Sequence, residues 1–463
     1  MDSSGTTAWA DDERHKGPGA LKSRLSVMMF LQYAIWGAWL PLLWAFLKNH
    51  RGFEADQIAD MFMVGAVGSI FAPFIAGQIA DRYFSTEKYL GLSHILGGVL
   101  VWQLAHLTEY NAFLWFSLAY SLIYSPTLSL TNSLSFHHLL DRDRDFGKVR
   151  VWGTIGWVVA GIGIGQWLLH THTPFPGSEV AEEMAQNASS QWAGMSDAFR
   201  LSAILGVLMG LYCFTLPRTP PSKERESIAF VKAIKEARFQ PLVTLFLLAV
   251  PVSCIHQFYF VHTAEFLGKF QSSTATSINS IFGVGGGGLM TVGQMSEIAV
   301  LALIPLVAKQ WSRKTLLAIG LCAYAARMAL FAYVNEIASA TGVSPIAVLI
   351  AGIAMHGLCF GCFIFVAFMV VDEETTPDVR ASAQSLFGLV VFGIGIIVGS
   401  YIAAGVSDWA SGGTTGVTDY TRLFSVPMWG SVACLALLVV FYPGRKMMAR
   451  LRVRRDARQG ASA

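Results

Sequence analysis

Charge is scarce in this chain. Only 14% of its 463 residues are Asp, Glu, Lys or Arg, whereas a soluble domain carries roughly a quarter, so the fold needs lipid as part of its solvent. Cysteine is scarce too, and all six (Cys213, Cys254, Cys322, Cys359, Cys362, Cys434) sit inside apolar stretches, where they read as small packing residues. No further His or Cys stands at a spacing that would complete a metal or redox site with Cys359 and Cys362. No nucleophile and base pattern occurs in the apolar stretches either, which weakens the reading as an intramembrane enzyme or sensor. Gly285 to Gly288 is followed by no Lys-Ser/Thr and preceded by no strand, so it is not a phosphate loop; a flexible helix start is the better reading. The net charge of only +3 gives no reason to expect nucleic acid. No enzyme activity, cofactor or metal is expected.

Apolar residues make up 54% of the chain. A spanning helix takes about 20 of them, and twelve stretches qualify: 25–47, 60–80, 89–107, 112–134, 151–169, 197–216, 241–262, 290–308, 315–334, 345–371, 383–405 and 424–442. The expectation is an all-α, multi-pass membrane protein with almost nothing left for a soluble domain. Placing both ends in the cytoplasm puts 27 of the 33 lysines and arginines in inner segments, as the positive-inside rule requires. Residues 171–195 then form a solvated outer loop.

The longest basic connection, with Pro220, Pro221 and the mixed run Lys223 to Glu226, lies near the midpoint and reads as a linker. The expected divisions are an N-tail 1–24, a six-helix bundle 25–216, a cytoplasmic linker 217–238, a second six-helix bundle 239–443 and a basic C-tail 444–463. The halves echo each other. A short polar turn follows both the second and the eighth stretch, and Val149-Arg150 opens the fifth as Val379-Arg380 opens the eleventh. A duplicated unit of this kind places a solute site between its halves near the midplane.

Gly77-Gln78-Ile79-Ala80-Asp81-Arg82 resembles the signature of the major facilitator superfamily, in which the Asp and Arg latch helix ends on the cytoplasmic side. FLQYAIWGAWL (30–40), RVWGTIGW (150–157), GQMSEIAVLALIP (293–305), RMALFAY (327–333) and VRASAQSLF (379–387) resemble the nucleoside:proton symporters of that superfamily, in order along nearly the whole chain. The resemblance implies the major facilitator fold and proton-coupled symport of a nucleoside or nucleoside-like solute by alternating access. It also implies a monomer in the bilayer of a bacterial cytoplasmic membrane, with protons and a small solute as its partners. A sugar, alditol or other small-metabolite carrier on the same scaffold stays open.

Polar groups inside a membrane helix are expensive and ask for a reason. Gln294 and Glu297 are three apart and share a helix face. Glu297 lies twelve residues from Lys309, which puts it roughly 18 Å deep in a core of about 30 Å. Losing water there disfavours its charged form, and a group poised between protonation states can couple a proton to a solute. The resemblance adds that the matching Gln and Glu contact substrate. Arg150, Thr154 and Trp157 form a second face at i, i+4 and i+7; the family has an Arg, a Thr and an aromatic at the matching positions. Arg150 also follows the charged run 141–148 so closely that an inner-mouth latch is an alternative role.

Gln257 matches a substrate-binding Gln of the family, and Phe260 stands where well-known members have an Asn. His356-Gly357-Leu358-Cys359-Phe360-Gly361 resembles an aromatic-Gly-x-x-aromatic-Asp stretch, with Phe360 keeping the second aromatic and Gly361 in place of the Asp. The pocket thus loses two polar contacts to sugar hydroxyls, which matter strongly for discrimination. His256 and His262 read as packing residues ahead of proton carriers. Gln32, Trp36 and Trp39 form a further face, read as packing or cavity lining, and Pro126, Thr127 and Asn132 as a kink with polar packing.

Overall fold

The computed structural model describes residues 17–75, 85–139, 141–219, 234–274, 276–376, 379–412, 418–444 and 447. Among these there is no strand, as lipid demands of a chain whose helices satisfy their own backbone bonds. The first half contains α1 (Gly17–Trp39), which continues through tightened and widened turns to Arg51, then α2 (Ala55–Ile75), α3 (Thr86–Leu104), α4 (Tyr110–His138), α5 (Arg142–Thr171) and α6 (Ser196–Cys213). The second contains α7 (Leu242–Thr274), α8 (Gly287–Val307), α9 (Arg313–Ala332), α10 (Pro345–Ala354 and on to Glu374), α11 (Arg380–Gly388 and on to Ala410) and α12 (Tyr420–Phe441). Ten helical segments among the described residues are long and apolar enough to cross a membrane; α2 and α3, of 21 and 19 residues, complete the twelve.

The helices outrun the apolar stretches that announce them. The first begins at Gly17 rather than 25, because the helical ladder continues into polar turns where Lys22 meets Asp145 at 2.5 Å. The segment expected as a solvated loop, 171–195, contains a surface helix, Ala181–Gly194, whose Asn187 amide bonds both backbone groups of Phe175.

The two halves are built alike. In the first, α1 packs on α5, α2 on α4 and α3 on α6; in the second, α7 packs on α11, α8 on α10 and α9 on α12. The repeat reaches down to single bonds. The start of α3 is tied to the end of the first half by Thr219 N donating to Glu87 at 2.9 Å, and the start of α9 to the end of the second by Lys314 donating to the Val439 and Tyr442 carbonyls at 2.7 Å each. These are two six-helix bundles of one architecture, and they meet through α2 against α11 and α5 against α8. Leu247, Val440 and Trp115, 72%, 71% and 65% exposed, belong to an apolar exterior that water would not tolerate.

Pro126, Pro251 and Pro427 interrupt α4, α7 and α12, each removing one bond from the helical ladder. Widened π turns at Phe360–Phe365 in α10 and Leu389–Ile394 in α11 are insertions of the kind that recur at functional sites.

Candidate functional site

Where α5 meets α8, the helix faces read from the sequence come together. Glu297 on α8 keeps 18% of its side chain exposed, and its charge and that of Arg150 on α5 lie within electrostatic reach across the bundle boundary. One turn away, Gln294 is 7% exposed, and its Oε1 has no hydrogen-bond partner among the described residues. A buried amide oxygen without a partner costs about 1–3 kcal/mol, a cost that a bound solute or water would remove. The Arg150 guanidinium stacks 4.0 Å above the Tyr33 ring of α1, so it is aimed by an aromatic that sequence reasoning had not singled out. Thr154 and Trp157 are half-buried on the same α5 face. Among the described residues the Trp157 ring has no stacking partner, whereas Trp36 and Trp39 are engaged with Tyr124 and Phe199.

Behind Glu297 lies a set of polar groups shared by α7, α9 and α10. His356 Nε2 is 3.7 Å from Glu297 Oε2, and its Nδ1 meets Arg327 Nη1 at 3.1 Å. The His356 ring lies parallel to Tyr259 at 4.7 Å and to His256 at 5.4 Å, and His256 Nδ1 is bonded to the Tyr324 hydroxyl at 2.8 Å. Phe260 and Phe360 border this group, with ring centroids 6.1 and 6.4 Å from His356. The available signal in the sequence was Arg327 itself, a lone arginine within a span.

Other candidates are placed differently. Gln257 is buried and donates from Nε2 to Ser400 at 3.1 Å, so that nitrogen joins α7 to α11. Gly361 is buried, and a Cβ there would stand 2.7 Å from Val300 Cγ1, directed at α8 rather than at open space. Gln32 is fully buried inside the first bundle, donating to Thr127 at 2.9 Å and bonded to His94 at 2.9 Å, so its amide joins α1 to α3 and α4. His262 is bonded to the Ala403 carbonyl at 3.1 Å. Gly77, Asp81 and Arg82 lie outside the described residues.

Among the described residues, hydrogen bonds between the bundles gather on the face opposite the start of α1 and the end of α12. Trp44 Nε1 donates to Glu265 at 3.0 Å, Gln166 to the Ser280 carbonyl at 2.9 Å and Val284 N to the Gly165 carbonyl at 3.0 Å, and Tyr401 donates to Asp60, which also accepts from Tyr110 of its own bundle. Gly283 and Gly286, with φ of 72° and 82°, make the turn into α8 that brings its backbone this close. Glu297 therefore lies beneath a closed face.

The model of the family described as "Nucleoside H+ symporter" matches residues 20–446. The chain is 31% identical to the putative nucleoside transporter YegT of Escherichia coli K12 over 391 residues, covering 81% of this chain and 82% of that one. It is 28% identical to the xanthosine permease of the same organism, covering 92% and 96%. Its fold matches the crystal structure of the nucleoside transporter NupG with a TM-score of 0.76 at 23% identity, over 92% of this chain and all of that one. With two like bundles and a carboxylate held between them, the chain belongs to the nucleoside H+ symporter family: it is a multi-pass membrane transporter of the major facilitator fold, not an enzyme.

Proposed function

We propose that this chain imports a nucleoside-like solute together with protons, with Glu297 as the coupling carboxylate and Arg150, Thr154, Trp157 and Gln294 lining the solute's path. The observation that carries the reading is Glu297 itself. It lies within a span, 3.7 Å from His356 of its own bundle and within electrostatic reach of the Arg150 charge of the opposite one, so its charge bears on whether the bundles hold together. The basic loops favour both termini in the cytoplasm. On that orientation the face that carries the inter-bundle bonds is the outer one, and Glu297 lies on its cytoplasmic side. The chain works as a monomer in a bacterial cytoplasmic membrane, with the aromatic Trp157 offering a stacking surface to a planar base. Gln257 and Phe360 contribute at the margin of the pocket, and Phe260 replaces a polar contact there. Gly361 supplies no contact of its own, and the motif of Gly77, Asp81 and Arg82 serves as a cytoplasmic latch.

Uptake of labelled nucleosides, sugars and alditols into proteoliposomes, with and without a pH gradient, tests the reading. A nucleoside should accumulate only with the gradient. Accumulation of a sugar or alditol and of no nucleoside would overturn it.

A further inference from the structure

Arg327 on α9 is fully buried and takes no part in the scheme above. A guanidinium inside a span is costly unless its charge is used. Here its Nη1 bonds His356, its Nε and Nη2 have no hydrogen-bond partner among the described residues, and its Cζ lies 4.3 Å from the Tyr259 ring centroid and 5.1 Å from that of Tyr324. Arginine can only donate hydrogen bonds. His356 Nδ1 must therefore accept, which fixes the imidazole as the neutral form carrying its proton on Nε2. That Nε2–H is the group that faces Glu297.

We propose that His356 is a positioning residue for proton coupling, a neutral bridge through which the buried charge of Arg327 holds Glu297 when it is ionised and releases it when it is protonated. The proposal rests on the coupling role of Glu297 argued above. At 3.7 Å the Nε2 to carboxylate contact is longer than a formed hydrogen bond of 2.7–3.2 Å, so the bridge stands open here. A carboxylate draws the Nε2–H in and completes a chain from anion to imidazole to guanidinium; a protonated carboxyl is a weaker acceptor and lets it part. A second proton on His356 would break the bond to Arg327 and set two positive charges side by side, so the transported proton stays on Glu297.

The groups around this bridge fit the scheme. The charge of Arg150 reaches Glu297 from α5, His256 and Tyr259 face His356 from α7, Gln294 shares the α8 face, Tyr324 and Arg327 come from α9, and Cys359 lies one turn along α10. Of the two cations, Arg150 belongs to the other bundle and moves away when the bundles rock, whereas Arg327 travels with Glu297. An ionised Glu297 that has left Arg150 thus keeps a counter-charge through His356.

The test uses purified full-length protein in proteoliposomes, comparing accumulation driven by a pH gradient with solute counterflow, which needs no net proton movement. His356→Phe should lose accumulation and keep counterflow, whereas His356→Gln, whose amide can both accept from Arg327 and donate to Glu297, should restore accumulation. Full accumulation in His356→Phe overturns the proposal. So does equal loss of both activities in the folded Phe variant, which marks a purely structural role, and so does loss of accumulation in His356→Gln, which means that the imidazole itself titrates. Should His356→Phe fail to fold, the Gln variant decides by the same criterion. Glu297→Gln run in parallel separates the two claims: if it accumulates solute normally the coupling role of Glu297 has failed, and if it does not while His356→Phe does, only the bridge has failed.

Discussion

The backbone N–H of Val284 donates to the carbonyl of Gly165 at 3.0 Å, so the two bundles are joined by main chain as well as side chains. Contact this close needs bare glycine on both sides of the seam. A Cβ on Gly165 would stand 2.5 Å from the Phe282 carbonyl oxygen, and one on Gly283 would run into Gly165 itself.

Gly165→Val should therefore leave each bundle folded but hold this face apart. Transport falls to background, and a cysteine introduced at Asn279 becomes more accessible to a membrane-impermeant maleimide. Wild-type transport in the valine variant would show that the backbone contact is not needed for the cycle.

Glu297→Gln keeps the shape and the hydrogen-bonding ends of the side chain and removes its titration. Gradient-driven accumulation should be abolished, with expression and helical content near those of the wild type. Uptake assays at equal protein, checked by circular dichroism, decide it; full accumulation would remove Glu297 from the coupling role.

Trp157→Ala should weaken solute binding. An aromatic pair contributes about 0.5–1.5 kcal/mol beyond its buried area, which corresponds to roughly 2- to 10-fold in Kd. Tryptophan fluorescence titration measures it, and an unchanged Kd would mean that the α5 face does not line the site.

Specificity should respond at Phe260 and not at Gly361. Phe260→Asn offers a new amide to a ribose hydroxyl and should tighten uridine or adenosine binding by about 0.5–1.5 kcal/mol; the unmodified protein should bind them weakly. Gly361→Asp should give no such gain and should lower the melting temperature, since its side chain meets Val300. A gain in nucleoside affinity from the Asp variant, without loss of stability, would contradict this placement.

Composition and pattern alone determined that the chain needs lipid, that it crosses it twelve times, and that its halves repeat. These follow from local quantities: about 20 apolar residues per span, the side on which basic loops collect, and faces defined by 3.6-residue spacing. Such spacing also showed that Gln294 shares a face with Glu297, and Arg150 with Thr154 and Trp157. Which neighbour each face meets was beyond its reach, because that depends on how helices far apart in sequence cross. Only the tertiary structure turned Gln32 inward to His94 and Thr127, tied Gln257 to Ser400 and aimed Gly361 at Val300. By the same cause it set His356 between Glu297, 59 residues before it, and Arg327, 29 before it. No periodicity within one helix encodes a contact among three, so the bridge exists only once α8, α9 and α10 are packed together.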